Sequence, residues 1–424
     1  MLPASKTTAS ARSVGASEDK MSDQPSVVAA VEQRGFFGGG EPKEVASRTF
    51  HVPTMANSTA FVTDDGIVLV DCGVVQVGPH IHAKVREYTD EELHTVVYTH
   101  GHVDHCMGLA PWLEEGRPRV VAHENVPKRF NRYLRTVGLQ EHINKIQFGF
   151  EDMRWPTDYV FPDVTYDDHL SLRIGGELFE LRHGKGETDD ATWIWAADRG
   201  ILASGDFWIS CVPNCGNPQK VQRYPEEWVE AFEQMIPLGA ELLLPGHGPA
   251  IEGADEVQQA LSDAADYLRS IIEQTYAAMN EGLEHDEIIA RVKAPESFGD
   301  RPYLQPVYDR PEFIVRNLIR LHWGWWDGYP AHLMPSTERA QAREIASLAG
   351  GVSALVTRAR ELAPTDIALA CHLAEWAALA EPDDEDAQAC VRDLFKERAS
   401  DESSLMGRGI FMHAVREAKK ALGE

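Results

Sequence analysis

No stretch of this 424-residue chain strings together the roughly eighteen apolar residues that a membrane-crossing helix needs, so no membrane span is expected. Cysteine is scarce. The six present, Cys72, Cys106, Cys211, Cys215, Cys371 and Cys390, are too few for a disulfide framework. Cys211 and Cys215 have neither CxxC spacing nor a second pair, which excludes a zinc knuckle and leaves all six as packing thiols. Positive charge is also short. Forty Lys and Arg stand against 67 Asp and Glu, and a net charge of −27 disfavours nucleic acid or an anionic membrane as partner. An anionic small molecule would need cations gathered locally. The first 45 residues are rich in Ser, Ala, Gly and Pro and lack the apolar core of a secretory signal. They read as a flexible leader, with Met21 an alternative start, and the protein is expected to be cytoplasmic.

What is present is an ordinary globular composition, 43% hydrophobic and 25% charged, long enough for two or three domains. From about residue 46 to 255, short apolar runs alternate with helical patterns: Ile67 to Val70, Thr95 to Thr99, Val120 to Ala122, Leu178 to Leu181 and Glu241 to Leu244. Trp193 to Trp195 and Ile201 to Ala203 read as a hairpin around Asp198, Arg199 and Gly200. This is α/β layering with buried sheets. From 256 to 424 the period changes. Val257, Leu261, Ala264, Leu268, Ile272, Tyr276 and Met279 mark a long helix that Gly282 can end, and helical patterns follow at 312–323, 337–349, 351–362, 366–380 and 384–397. An all-helical C-terminal domain is expected.

The densest chemistry lies in TVVYTHGHVDHCMGL, residues 95–109, where His100, His102, Asp104 and His105 follow a β-branched run. Gly101 allows a sharp turn that splays these side chains outward. Imidazoles and a carboxylate fanned from one strand end suit one or two cations, zinc or a similar borderline metal. One segment cannot close two sites, so further ligands must come from other strand ends. Three stand out: Glu187 in HGKGETDD, Asp206 in ASGDFW and His247 in LLLPGHGPA, each just past a strand and beside glycine. His123 and His183 read as ordinary hydrogen-bonded side chains.

The order HGHVDH, GET, GD, PGHG over residues 47 to 252 resembles the metallo-β-lactamase fold hydrolases. Most members carry His in the second motif. Glu187 in GET looks like the alkyl sulfatase branch, which also has a helical dimerisation domain. WGWWDGYP, within 302–335, is similar to a segment of that domain. The branch's sterol-carrier-like domain has no counterpart among the helices that run to 424. The resemblance implies an αββα sandwich followed by helices. It also implies two Zn2+, or Mn2+ or Fe2+, with His100, His102 and Glu187 on one and Asp104, His105 and His247 on the other. Asp206 would bridge them, a shared water or hydroxide would be the nucleophile or base, and Asp104 would orient it.

The segment FWISCVPNCGNPQKVQRY after Asp206 holds Asn214, Asn217, Lys220 and Arg223 amid Trp208 and Tyr224. Arg223 and Asn214 are expected to grip a sulfate, and Trp208 to line the alkyl side. An alkyl sulfate ester, anionic with an apolar tail, is the expected substrate; a lactone, thioester or phosphodiester is the alternative on the same fold. A metal-bearing scaffold without turnover fits a full ligand set poorly. A secreted β-lactamase proper and a flavin-linked reductase are disfavoured, there being neither a signal peptide nor a flavin-binding domain. Trp323, Trp325, Trp326 and Tyr329 offer apolar surface for a homodimer.

Overall fold

The computed structural model of the chain describes residues 40–424. Most of the expected leader lies outside the described residues, but its last three are already strand. β1 (Lys43–Ala46) pairs antiparallel with β2 (Thr49–Val52). With β3 (Ser58–Thr63), β4 (Gly66–Val70), β5 (Leu93–Val97), β6 (Arg119–His123) and β7 (Val164–Tyr166) they form a seven-stranded sheet in sequence order. β1 to β4 meander antiparallel, whereas β4 to β7 run parallel. The parallel strands are linked through helices such as Gly78–Tyr88 and Asn125–Arg135.

The second sheet holds β8 (His169–Ile174), β9 (Glu177–His183), β10 (Thr192–Ala196), β11 (Ile201–Gly205), β12 (Leu242–Pro245) and β13 (Ile251–Glu252), in the order β13-β12-β11-β10-β9-β8. β10 and β11 are the expected hairpin. β11 and β12 are parallel and are joined through helix Pro225–Met235.

Successive residues of a strand face opposite sides, and here both sides are apolar. Val68, Val70, Val97 and Val121 point between the sheets towards Ile194, Ala203, Leu242 and Leu244. Their neighbours Leu69, Val96, Val120 and Ala122 pack outward with Ile81, Val85 and Trp112. On the far side, Trp193, Leu202 and Leu243 meet Trp228, Phe232 and Leu261. Three apolar layers separate four layers of structure, which is the αββα sandwich.

Helix Ala254–Asn280 follows, and Gly282 just beyond it has the positive φ of a helix stop. Its buried face shares one apolar cluster with Trp193 and Trp228, as do Ile314, Val315 and Leu318 of helix Pro311–His322. The switch of period near 255 therefore marks a change of secondary structure and not a break in packing. A separate cluster begins at Ala342 and joins helices Glu338–Ala349, Val352–Leu362, Ile367–Ala380, Glu385–Asp401 and Leu405–Leu422. The last of these returns to the sandwich and docks on helix Val137–Phe148. There Arg416 donates to the carbonyls of Lys145 and Ile146, and Gly409 lies against the Gln147 backbone. All six cysteines are buried and free. Among the described residues no helix is long and apolar enough to cross a membrane.

Candidate metal centre and cleft

β4, β5, β9, β11 and β12 all end at the same edge of the sandwich, and the polar residues that follow them converge there. The histidine loop leaves β5 and runs into the short helix Val103–Cys106. Gly101 does not need a positive φ. A Cβ there would lie 2.8 Å from Arg129 Cδ and 3.0 Å from Asp190 Oδ2, so close approach is what requires glycine. Gly205, at the end of β11, does take φ +52 and lies against Thr99, which turns Asp206 towards the histidines.

Two compact groups result: His100, His102 and Asp206, and Asp104, His105 and His247, with ligand atoms in each within 4.8 Å of one another. Asp206 reaches across both. Its Oδ2 lies 3.6 Å from His100 Nε2 and 3.4 Å from His247 Nε2, and its Oδ1 lies 3.3 Å from His105 Nε2. Asp104 Oδ2 is 3.8 Å from His105 Nε2 and 3.7 Å from His247 Nε2. Among the described residues, His105 Nε2 and Asp206 Oδ1 are fully buried and find no hydrogen-bond partner. His100 Nε2 and His102 Nδ1 face each other at 2.8 Å, an approach that needs a proton or cation between two lone pairs. Orphaned donor atoms converging on shared points fit metal ions, and the mixed imidazole–carboxylate set fits zinc, manganese or iron.

The other ring nitrogens are tied back. His105 Nδ1 donates to Asp71 at 2.7 Å, His247 Nδ1 to the Met55 carbonyl, and His100 Nδ1 lies 3.1 Å from Thr99 Oγ1. Burial, reinforced by His105, holds His100 down to about 4 and favours the neutral ring that ligates metals. Burial also disfavours charge on His105. Asp206, Asp71 and Asp104 outweigh it and raise that imidazole well above its usual value.

Sequence reasoning gave Asp71 no role. It has φ +56, accepts from Thr99 N at 2.8 Å and Thr99 Oγ1 at 2.7 Å, and orients His105. Asp is among the residues that tolerate this left-handed backbone. Its position just past β4, matching the other strand-end ligands, was the available signal. Asp71→Asn is expected to weaken metal affinity about 10- to 100-fold without removing a ligand. Competition with a chromogenic chelator reads this, and unchanged affinity would refute the orienting role. Asp190 also went unforeseen; it takes Gly101 N at 3.2 Å and Arg129 Nε at 2.6 Å beneath the histidine loop.

Glu187 sits at the edge of the first group, its Oε1 3.9 Å from His102 Nδ1. That oxygen is engaged by Arg223 Nη1 at 2.5 Å and by Asn214 Nδ2 at 2.6 Å. Burial pushes the Glu187 carboxyl up, to about 7, against the pull of Arg223, and Asp206 adds to the rise. Two residues expected to grip substrate thus also hold Glu187. Arg223 is 2% exposed, and its Nε has no hydrogen-bond partner among the described residues.

Above the centre lies a cavity of about 220 Å³. Its lining combines apolar side chains, Tyr133, Phe148, Phe150, Met153, Trp155 and Ile209, with the polar Asn144, Asn217, Lys220, Arg223 and Tyr308. Trp208 is not in it. This corrects the expectation for that residue: Trp208 is 3% exposed and packs on Tyr303, with ring centroids 5.4 Å apart, in the cluster behind the second sheet. Among the described residues Lys220 has no carboxylate within ion-pair distance, and its ammonium donates to Asn144 Oδ1 at 3.0 Å. Burial, then Arg223, lowers it to about 8. His123 and His183 stack at 3.6 Å, bonded to the Asp167 and Ala191 carbonyls, outside the centre.

Comparison with known proteins adds family to geometry. Residues 51–247 match the metallo-beta-lactamase superfamily, and residues 284–421 match alkyl sulfatase dimerisation. A linear primary-alkylsulfatase of Pseudomonas sp. (strain ATCC 19151) is 27% identical over 315 residues, covering 68% of this chain and 59% of that protein. An (R)-specific secondary-alkylsulfatase of Pseudomonas sp. is 23% identical over 400 residues, covering 86% and 60%. The chain thus spans about three fifths of these relatives' length. The solved structure of the stereoselective inverting sec-alkylsulfatase Pisa1 from Pseudomonas sp. matches with a TM-score of 0.84 at 20% identity, over 93% of this chain and 69% of that one. At that identity the likeness is one of fold. In tandem, residues 51–247 thus carry a metallo-beta-lactamase superfamily region and residues 284–421 an alkyl sulfatase dimerisation region.

Proposed function

We propose that the cleft is a two-metal centre that hydrolyses alkyl sulfate esters, and that the chain works as a homodimer. The observation that carries the reading is the pair of ligand groups, with Asp206 reaching both, beside a cavity lined by cations and aromatics together. His100 and His102, with Glu187 or Asp206, would hold one ion; Asp104, His105 and His247 would hold the second, with Asp206 common to both. Zinc is the first choice and manganese or iron the alternatives. Such a pair, when bound, acidifies a shared water towards neutrality and polarises the ester oxygens.

The chain's own residues do the rest. Asp104 and Asp206 lie where they can hold and orient the attacking water's proton. Lys220 and the free edge of the Arg223 guanidinium receive the anionic head group, which answers the problem posed by a chain of net charge −27. The aromatic side chains take the alkyl tail and keep water from it. The relatives' names support the sulfate class.

A panel of alkyl sulfates, a lactone, a thioester and a phosphodiester tests the reading. Each buried methylene contributes about 0.8 kcal/mol, so kcat/KM for alkyl sulfates should rise about fourfold per carbon until the cavity is full. Alkyl sulfates left untouched while a lactone or phosphodiester turns over would refute it.

For assembly, Trp325 is 74% and Met334 88% exposed, beside the part-exposed Trp323, Trp326, Tyr329 and Leu333. Exposed aromatic and apolar side chains gathered within residues 323–334 are what a self-associating surface presents. Light scattering at micromolar concentration should give a dimer, and the double variant Trp325→Ser with Met334→Ser a monomer. A wild-type monomer would contradict the assembly.

A further inference from the structure

Segment 211–224 carries Asn214, Asn217, Lys220 and Arg223 to the cleft with no helix or strand of its own. Its backbone groups must therefore find other partners. Some lie within the segment or at Gly186, and others come from residues 305 to 320, beyond the superfamily match. Val212 N donates to the Gln305 carbonyl at 3.2 Å, and Gly216 N to the buried Asp309 carboxylate at 2.5 Å. Helix Pro311–His322 is packed so closely here that a Cβ on Gly216 would lie 2.1 Å from the Phe313 carbonyl carbon.

One turn on, a single side chain grips both peptide groups of Arg223. Asn317 Nδ2 donates to the Arg223 carbonyl at 2.8 Å, and Asn317 Oδ1 accepts from Arg223 N at 3.4 Å. Arg320 completes the brace, donating to Asn317 Oδ1 at 2.8 Å, Gln222 Oε1 at 3.0 Å and the Lys220 carbonyl at 3.2 Å. An amide that takes the N–H and the C=O of one residue acts as a one-residue strand partner. Asn317 is 5% exposed and Arg223 2%, so these bonds are made away from water, where they hold geometry most firmly.

We propose that Asn317, in the helical region, is a positioning residue for the cleft. It fixes the peptide from which the Arg223 guanidinium projects and, through Arg320, the height of Lys220, and so sets the affinity for the substrate's anionic group. This rests on the reading of the cleft given above.

Asn317→Leu keeps the side chain's size and removes both bonds; Arg320→Met removes only the outer brace. In the metal-loaded full chain, hydrogen exchange of peptides covering 214–224 should quicken in Asn317→Leu, and less so in Arg320→Met, while β4 and β11 keep their protection. Inorganic sulfate should bind Asn317→Leu about tenfold more weakly, with metal content unchanged. KM for an alkyl sulfate should rise by a similar factor with kcat nearly constant, a split that a loss of folded enzyme does not produce. Unchanged exchange at 214–224 overturns the proposal, as does faster exchange with sulfate affinity intact. If Asn317→Leu does not fold, Arg320→Met decides by the same two readouts. A wild-type chain that binds sulfate but hydrolyses no alkyl sulfate refutes the proposed function alone, and one that does not bind sulfate overturns both.

Discussion

Asp206→Ala is expected to lower ester hydrolysis by about a thousandfold or more, and to release both ions. Asp206 lies within 3.6 Å of His100, His105 and His247 together. Without it, three buried imbalances appear at once. On the proposed two-metal reading each ion would lose a ligand and a share of negative charge, and in the metal-free chain His105 would lose the foremost of the carboxylates that hold its charge. Lewis-acid and water-activation effects are worth several kcal/mol, which sets the scale of the rate loss. Elemental analysis after gel filtration reads the ions, and sulfate release reads the rate. Full metal content with full rate in Asp206→Ala would remove Asp206 from the centre.

Arg223→Leu is expected to lower the stability of the metal-free chain by about 3–5 kcal/mol, because removing one member of a buried ion pair leaves the other uncompensated. Glu187 is 7% exposed and Arg223 2%, so water replaces little of what is lost. The double variant Arg223→Leu with Glu187→Leu should recover part of the loss, since apolar replacement of a whole buried pair is commonly tolerated. Denaturant unfolding of Arg223→Leu, Glu187→Leu and the double variant, each against wild type, reads the cycle. A loss below about 1 kcal/mol for Arg223→Leu would show that Glu187 does not depend on this guanidinium. In the loaded enzyme the same variant should harm alkyl sulfates far more than neutral esters, because only the former bring a charge to the vacated position.

The features legible in sequence share a local cause. His100, His102, Asp104 and His105 are contiguous, and Glu187, Asp206 and His247 each follow a strand by one to four residues. Strand ends at one edge of a sandwich are neighbours in space, so sequence position alone carried much of the geometry. The β10–β11 hairpin and helix Ala254–Asn280 were readable for a similar reason, since period two and period 3.6 are local patterns.

What was not legible depends on contacts far along the chain. The polar turn after Asp206 suggested that Trp208 faces the cleft, but the face it presents is chosen by Tyr303, ninety-five positions on. Arg223 and Asn214 read as free donors because Glu187, their acceptor, lies on another strand end. The apolar stretch at 148–155 has no pattern that marks it as a cleft, and Arg416, which helps to seat its helix, comes from the final helix of the chain. Asn317 has an ordinary position on an amphipathic helix, and only the path of segment 211–224 reveals its use.

Metal stoichiometry tests the central claim most directly. Wild-type chain loaded with zinc and freed of excess should hold two ions per chain by elemental analysis. Two is the number set by two ligand groups joined through Asp206. One ion or none, with zinc and then manganese supplied in excess, would contradict the two-metal centre.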